Sequence, residues 1–468
     1  MIFCNNSLSF MLLFYNIIII VITFFNIATT NIAAENNNIF TYNGIAEMKT
    51  AAINNTKLLN KQLSNLRPGD TLVIENKTYW LGGGVEAVSL FHVTIQLDGT
   101  LKFIPGRKGW PTESCVNKKN PLQPVAKNGT KCVKEAIFFA NCTHLTLTSS
   151  SSGTLDGSGD SWWGYVNYLL HGENRPRLFS LLNATDVLIE KITFVNSPYW
   201  TFTAYDVLNL EISNSHISNR VNSADSHDVA NLAAFNTDGF DVAGKNIYIH
   251  DCTVWNQDDC FTIQPLDAKG YNSKCTENIL VENVNASGLG LTVGAIHPSK
   301  GHNCIKNVTF RNAYMHHTYK GIYIKSGNSF DPSASGEITN ILFENVVMDE
   351  PEQVPIWIGP AQEADSKGAC SLLWPGLSSK CPAPPITLTW TNITLRNIHI
   401  HNPKESPGVV YGNKSNPMRG VIFDNVVVKG GGQISSKKPW GQKYYYCEGM
   451  GDAIVLNGTD PKPPCFKE

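Results

Sequence analysis

"NILVENVNASG" (residues 278–288), "NVTFRNAYMHH" (307–317) and "NILFENVVMDE" (340–350) are copies of one short unit. Apolar and polar residues alternate, Asn stands at the sixth position, and an apolar run resumes. The unit recurs at "NLEISNSHISN" (209–219), "NIYIHDCTVWN" (246–256) and "NITLRNIHIHN" (392–402), with looser copies at "DVLIEKITFVN" (186–196) and "GVIFDNVVVKG" (420–430). Copies starting at Asn246, Asn278, Asn307 and Asn340 are spaced about 30 residues apart, the period of a solenoid. Helical repeats need apolar residues at i, i+3, i+4 and i+7, whereas here the period is two and β-branched residues dominate. Strand, Asn or Asp bend, and strand describe part of one coil of a right-handed parallel β-helix. Its stacked coils bury Ile, Val, Leu and Phe, while Asn at the bend satisfies local backbone groups. A β-propeller is the alternative, but its blades need four antiparallel strands over roughly 40–50 residues. The fold expected is all-β, a single-stranded right-handed parallel β-helix with an N-terminal helical cap.

The ends read as caps. "KTAAINNTKLLNKQLSNL" (49–66) is the one good helical stretch before the repeats, so residues 35–66 form the N-terminal cap of a domain spanning 35–468. Residues 430–468 form a tail rich in Gly, Lys, Pro and aromatics, and residues 351–385 form a long projecting insertion. Before the cap, "FMLLFYNIIIIVITFFNIA" (10–28) is almost wholly apolar, with Ala33 and Ala34 after it. It reads as a secretory signal peptide covering residues 1–34. It lacks Lys and Arg and is long enough to span a bilayer, so an uncleaved anchor stays open. The product is expected outside the cell, with no membrane association after cleavage. A monomer is expected.

The formal charge of −2 provides no basic field, which argues against a nucleic-acid partner. Twelve cysteines and many N-x-S/T sequons (among them Asn54, Asn76, Asn128, Asn307 and Asn392) fit an exported glycoprotein. Close pairs suggest bridges Cys115–Cys132, Cys260–Cys275, Cys370–Cys381 and Cys447–Cys465, although connectivity does not follow from sequence. Cys142, Cys252 and Cys304 are left as packed thiols. No zinc spacing appears, and neither metal nor cofactor is expected.

Polar exceptions within coils should align on one exposed strip. "FNTDGFDV" (235–242) stands one short coil before "NQDDCFTI" (256–263). Equivalent places on adjacent coils lie about 4.8 Å apart, so Asp238, Asp258 and Asp259 can form one acidic cluster. "SGLGLTVGAI" (287–296) and "YKGIYIKS" (319–326) follow on the next coils. The bland readings are a turn residue for Asp238 and a metal site or solvated edge for the Asp pair.

"NTDG", "QDDC", a Gly-x-Gly segment and an Ile-x-Ile-Lys strand, in this order, resemble the polygalacturonases, glycoside hydrolase family 28. "GTLDGSGDSWW" (153–163) and "NSPYWTFTAYDVLNLEI" (196–212) resemble that family's early coils. The resemblance implies inverting, metal-free hydrolysis of α-1,4-galacturonosyl linkages in a pectic polysaccharide. It makes Asp258 the general acid, has Asp238 and Asp259 hold and activate water as carboxylates, and places Asn236 and Gln257 as orienting residues. Inverting hydrolysis generally separates acid and base by about 6.5–9.5 Å. Two positions depart from the family: Leu289 stands where it has His, and Tyr323 where it has Arg, beside a retained Lys325. Tyr323 can stack on a sugar but cannot clamp a carboxylate as Arg does. These changes leave open another pectic backbone, with rhamnogalacturonan or xylogalacturonan as substrate, or a polysaccharide-binding protein without activity. A calcium-dependent lyase of the same fold is disfavoured by the motif order. Trp357 is the aromatic expected in the groove, whereas Trp162 and Trp163 are expected in packing.

Overall fold

The computed structural model describes residues 37–115, 131–221, 227, 233–266, 275–297, 301–327, 333–362, 370, 381–430 and 445–468. The apolar N-terminal segment and Asn128 lie outside them. From Thr71 onward the strands of each coil pair in parallel with those of the coils before and after, apart from a short antiparallel pair, Thr112–Ser114 with Lys131–Val133. Three ladders result. The first runs through residues 179–182, 202–205, 240–243, 259–263, 290–293, 322–326 and 356–360. The second includes residues 208–213, 245–250, 277–282, 306–311, 339–344 and 391–396. The third follows one bend later, through residues 253–255, 284–286, 313–316, 346–349 and 398–401. The chain is thus a parallel β-helix.

Strand periodicity sends alternate side chains inward. Equivalent inward residues therefore stack coil upon coil: Phe179, Phe202, Phe240 and Phe261 follow one another at ring separations of 5.5, 5.8 and 5.7 Å. Each is essentially unexposed, and burying such a side chain stabilises by about 1.5–3 kcal/mol.

The bends use left-handed backbone at both the first and the sixth position of the repeated unit. Asn278 and Asn283 have φ of 61° and 54°, and Asn340 and Asn345 have 56° and 55°. Asn tolerates this region because its short amide bonds locally. Here the amides also bond to one another across coils. Asn246 donates to Asn209, Asn278 to Asn246, Asn307 to Asn278, Asn340 to Asn307 and Asn392 to Asn340, at 3.0–3.2 Å. A parallel column links Asn283, Asn312, Asn345, Asn397 and Asn425. The sequon residues Asn307 and Asn392 thus have their amides engaged in the ladder.

The helix Ala52–Asn65 buries Leu59 and Leu63, which join the solenoid core. Asn55 fastens the helix by donating to the carbonyls of Ile45 and Trp80. At the other end the tail does more than cover: Tyr446–Glu448 and Ile454–Leu456 continue two of the ladders. Disulfides join Cys115–Cys132, Cys370–Cys381 and Cys447–Cys465. The pairing of Cys260 with Cys275 is corrected: Cys275 is bridged to Cys304, 29 residues away. Those two stand opposite each other on adjacent coils, so coil register outweighs sequence proximity. Cys260 is a fully buried thiol, as are Cys142 and Cys252.

Replacing Asn340 tests the bend. Asn340→Ala removes two amide bonds and places a β-carbon in left-handed backbone, so urea unfolding should show a loss of roughly 1–2 kcal/mol. Asn340→Gly, free of that strain, should lose less; equal losses would mean that the backbone conformation contributes nothing.

Candidate active site

Two consecutive coils turn at "NTDG" and "QDDC", and one asparagine ties the turns together. The Asn256 amide donates to the carbonyls of Thr237 (3.0 Å) and Asp259 (2.7 Å), and its oxygen accepts from the Cys260 thiol. Gln257 accepts from the Ala234 N–H at 2.8 Å, and its own N–H donates to the Thr237 hydroxyl. Asn236, with φ of 53°, donates to Glu173 at 3.3 Å. The sequence resemblance placed Asn236 and Gln257 as orienting residues; here both hold the loops that carry the acids. Gly239 allows the close approach, since a β-carbon there would lie 2.2 Å from the Cys260 carbonyl oxygen.

Asp238, Asp258 and Asp259 converge, with an oxygen of each within 4.8 Å of the others. The pairing shifts register between Asp259 and Phe261. Strict alternation therefore fails at this point, and the adjacent pair can share one face. Asp259 is buried: one oxygen accepts from the Lys325 ammonium and the other from the Thr292 hydroxyl, both at 2.6 Å. Asp258 is only partly covered and accepts the N–H of Asp259 at 2.8 Å. Burial first, and then the charge of Asp259, push its carboxyl up to about 7. Burial and Asp258 together push Asp238 well above the usual carboxylate range. The ammonium of Lys325 is paired with Asp259 rather than with Asp238 or Asp258. Burial works against the charge of Lys325, but Asp259 outweighs it and the ammonium is held above its ordinary range. A three-acid cluster of this size would also suit a divalent cation, with the Lys325 ammonium competing for the same charge.

Leu289 is buried, and its N–H donates to the Asp258 carbonyl at 2.7 Å. Its role is to hold the acid's backbone. Tyr323 is corrected as a sugar-stacking surface: only 1% exposed, it packs with Val354, Trp357 and Val409. Its hydroxyl accepts the Gln362 N–H at 2.7 Å. The Lys320 and Lys325 ammonium groups lie 5.1 and 4.7 Å from its ring centroid. Trp357 is corrected too, being fully buried with its indole N–H on the Pro360 carbonyl. Val354, Val409 and the Cys370–Cys381 disulfide pack around both rings, which strand parity alone does not reveal. Trp162 and Trp163 are buried in packing.

Sequence reasoning passed over four residues. Thr292 binds Asp259 directly. Asp241, fully buried, is pushed by that burial up to about 8, with the Thr262 hydroxyl acting in the opposite direction. Lys320 is fully buried beside Gln353 (3.1 Å) and lowered to about 7 by burial. His227 is stacked 4.6 Å from Trp255, with Nε2 2.8 Å from the Ser287 hydroxyl. The signal available for Asp241 and Thr292 was a polar residue between two apolar ones, as in "FDV" and "LTV".

A family model, "Glycosyl hydrolases family 28", matches residues 85–444. The chain is 30% identical over 217 residues to the probable rhamnogalacturonase B of Aspergillus oryzae, an alignment covering 45% of this chain and 34% of that protein. It is 26% identical over 261 residues to a polygalacturonase of Fusarium fujikuroi, covering 54% and 61%. The chain thus spans between about a third and three fifths of the length of these curated relatives. The crystal structure of endo-xylogalacturonan hydrolase from Aspergillus tubingensis superposes with a TM-score of 0.60 at 20% identity, over 90% of this chain and 99% of that one. The match of the family model across most of the β-helix, including both acid-bearing turns, establishes that the chain belongs to glycosyl hydrolases family 28.

Proposed function

We propose that this protein hydrolyses the backbone of a pectic polysaccharide outside the cell, with Asp258 as general acid. The supporting observation is the asymmetry within the three-acid cluster. Asp258 is the member that reaches the surface, and its raised pKa keeps a proton available for a leaving glycosidic oxygen. Asp259, ion-paired to Lys325, and Asp238 flank the place where water would be held. Sugar binding would change the coupling of these groups and free a carboxylate of the pair to accept the water's proton. The disulfides fit an oxidising compartment.

Cleavage of α-1,4-galacturonosyl linkages is the primary reading. A second is favoured by Tyr323, which is buried and locked, and by Lys325, which is committed to Asp259. Without a free guanidinium, the sugar next to the cleaved bond is better neutral than acidic, as in rhamnogalacturonan. The names of the curated relatives include both substrate types.

Asp258→Asn is expected to lower hydrolysis by about 10²–10⁴-fold while leaving the thermal midpoint nearly intact. Reducing-end release from polygalacturonate and rhamnogalacturonan measures this. Undiminished turnover by a folded variant would remove Asp258 as the acid, and binding without any new reducing ends would favour a binding protein. In the wild type, kcat/KM should fall as pH rises through about 7.

Stability should move in the same direction. Asp258 and Asp241 sit near 7 and 8 when folded, against 3.8 for the ordinary carboxyl. The folded state therefore binds more protons than the unfolded state in between. Their contribution is fully present below the unfolded value and is lost as pH rises through the folded ones. The melting temperature should fall from pH 4 to pH 8, and Asp241→Asn should flatten that fall; a wild-type curve that rises over the interval would contradict it.

A further inference from the structure

Residues 157–178 join the third ladder to the first: they leave after the strand Gly153–Asp156, which continues the third ladder toward the N-terminus, and return at Phe179. That is the corner at which "NTDG" and "QDDC" also turn. Within it stands the short helix Tyr165–His171. Its two sides differ at helical spacing. Tyr165 and Tyr168 lie on Phe235, at ring separations of 5.8 and 5.1 Å. Val166, Leu169 and Leu170, at i, i+3 and i+4, form the other side and are 71, 71 and 70% exposed. A surface helix ordinarily turns its aliphatic stripe toward the core, whereas this one presents it to water. Neighbouring aliphatic side chains this open mark an interaction surface.

The helix is fastened to the acid-bearing turn. Phe235, on which its tyrosines rest, immediately precedes Asn236, Thr237 and Asp238. At its start the Gly164 N–H donates to the Ala233 carbonyl at 3.0 Å. Just after it, Glu173 accepts from Asn236 and pairs with Arg175 at 2.6 Å. The Arg175 guanidinium lies 5.0 Å from the Phe235 ring and donates to the Phe235 carbonyl at 3.0 Å. From Phe179, where this segment rejoins the first ladder, to Phe261, two residues after Asp259, there are three coil steps, about 14 Å at the spacing of parallel strands. A polysaccharide that runs from the acids along this corner toward the N-terminal coils meets the helix within a few sugars.

Charge decides what fits there. "YVNYLLH" contains no Lys, Arg, Asp or Glu, and its imidazole, His171, is held toward the neutral form by burial and then by the charge of Arg107. The cations around this corner are committed: Lys325 to Asp259, Arg175 to Glu173, Arg177 to Glu135 at 3.1 Å, and Arg107 to the Asn174 carbonyl at 2.6 Å. Galacturonan with free carboxylates would bring a negative charge against the aliphatic stripe at every sugar, and rhamnogalacturonan at every second sugar. Methyl esters remove that charge and give each sugar a methyl group, which aliphatic side chains cover favourably. We propose that the helix Tyr165–His171 is a docking surface for methyl-esterified galacturonan, with Val166, Leu169 and Leu170 receiving the ester methyl groups of sugars beyond the acid cluster. The effect on turnover rests on the galacturonosyl reading above; the docking itself does not. An esterified chain also needs no guanidinium at the position of Tyr323.

Two measurements on the full-length protein test the idea. Asp258→Asn protein is titrated with galacturonate oligomers of one length, either methyl-esterified or free, and with a rhamnogalacturonan oligomer. The esterified oligomer should bind severalfold tighter than the other two. Adding Leu169→Gln and Leu170→Gln should erase that advantage while the melting curve stays in place, since both side chains already face water. Equal or tighter binding of either other oligomer, or an advantage that survives the two changes, overturns the docking surface. Self-association of the wild type in sedimentation, abolished by the two changes, would also overturn it by making a second copy the occupant. With Asp258 intact, reducing-end release is then compared on esterified and de-esterified pectin. The kcat/KM ratio should favour the esterified form and fall severalfold with Leu169→Gln and Leu170→Gln; a ratio that ignores them overturns the effect on turnover. No reducing ends from either pectin, together with tighter binding of the esterified oligomer that depends on Leu169 and Leu170, would defeat the hydrolase reading and leave the docking surface standing.

Discussion

Everything at this site depends on lateral register: one residue per coil, repeated at the spacing of parallel strands, with parity deciding inside from outside. The register that stacks Phe202, Phe240 and Phe261 inside also aligns Thr203, Asp241 and Thr262 outside, and brings Asp238 beside Asp259. A one-residue slip would send charges into the core, where an unpaired carboxylate is costly. The asparagine columns at the bends hold that register from the outer surface. Each amide donates to the coil before it and accepts from the coil after it, while its own backbone supplies the left-handed turn.

Electrostatics builds on this frame. Three carboxyl groups within 4.8 Å of one another cannot all be charged without strong compensation, and one ammonium is directly paired with them. Lys325 binds Asp259 rather than the cluster at large. That choice makes the three acids unequal: a paired carboxylate below, a buried and raised Asp238 beside it, and a raised Asp258 at the surface. Tyr323 and Lys320 press on the same lysine from behind, the ring 4.7 Å from its ammonium. Tyr323 thus bears directly on Lys325, and through it on Asp259.

Much of the fold was legible in the sequence because its cause is local and repeated. The sixth-position Asn marks a bend wherever it appears, from Asn214 to Asn425, and alternating apolar residues mark the ladders. The acids were legible because "NTDG" and "QDDC" combine turn residues with adjacent charges. What escaped depends on contacts between coils or on covering loops. Cys275 meets Cys304 because they are in register one coil apart, a relation that nearest-neighbour pairing ignores. Tyr323 and Trp357 were expected to meet a sugar, but they pack against Val354, Val409 and the Cys370–Cys381 disulfide. Asp241 was in view within "FNTDGFDV" yet was given no role, although an outward polar residue recurs there in "FSL", "FTA", "FDV", "FTI" and "LTV".

Which group attacks the anomeric carbon fixes the stereochemistry of the product. Attack by water held between Asp238 and Asp259 predicts inversion, while attack by either carboxylate through a covalent intermediate predicts retention. Proton NMR of the anomeric signals during the first minutes of digestion of an α-linked pectic oligomer decides between them. The account predicts that the β-anomer of the new reducing end appears first and equilibrates later. Initial appearance of the α-anomer would contradict it and would make one of the paired carboxylates a nucleophile.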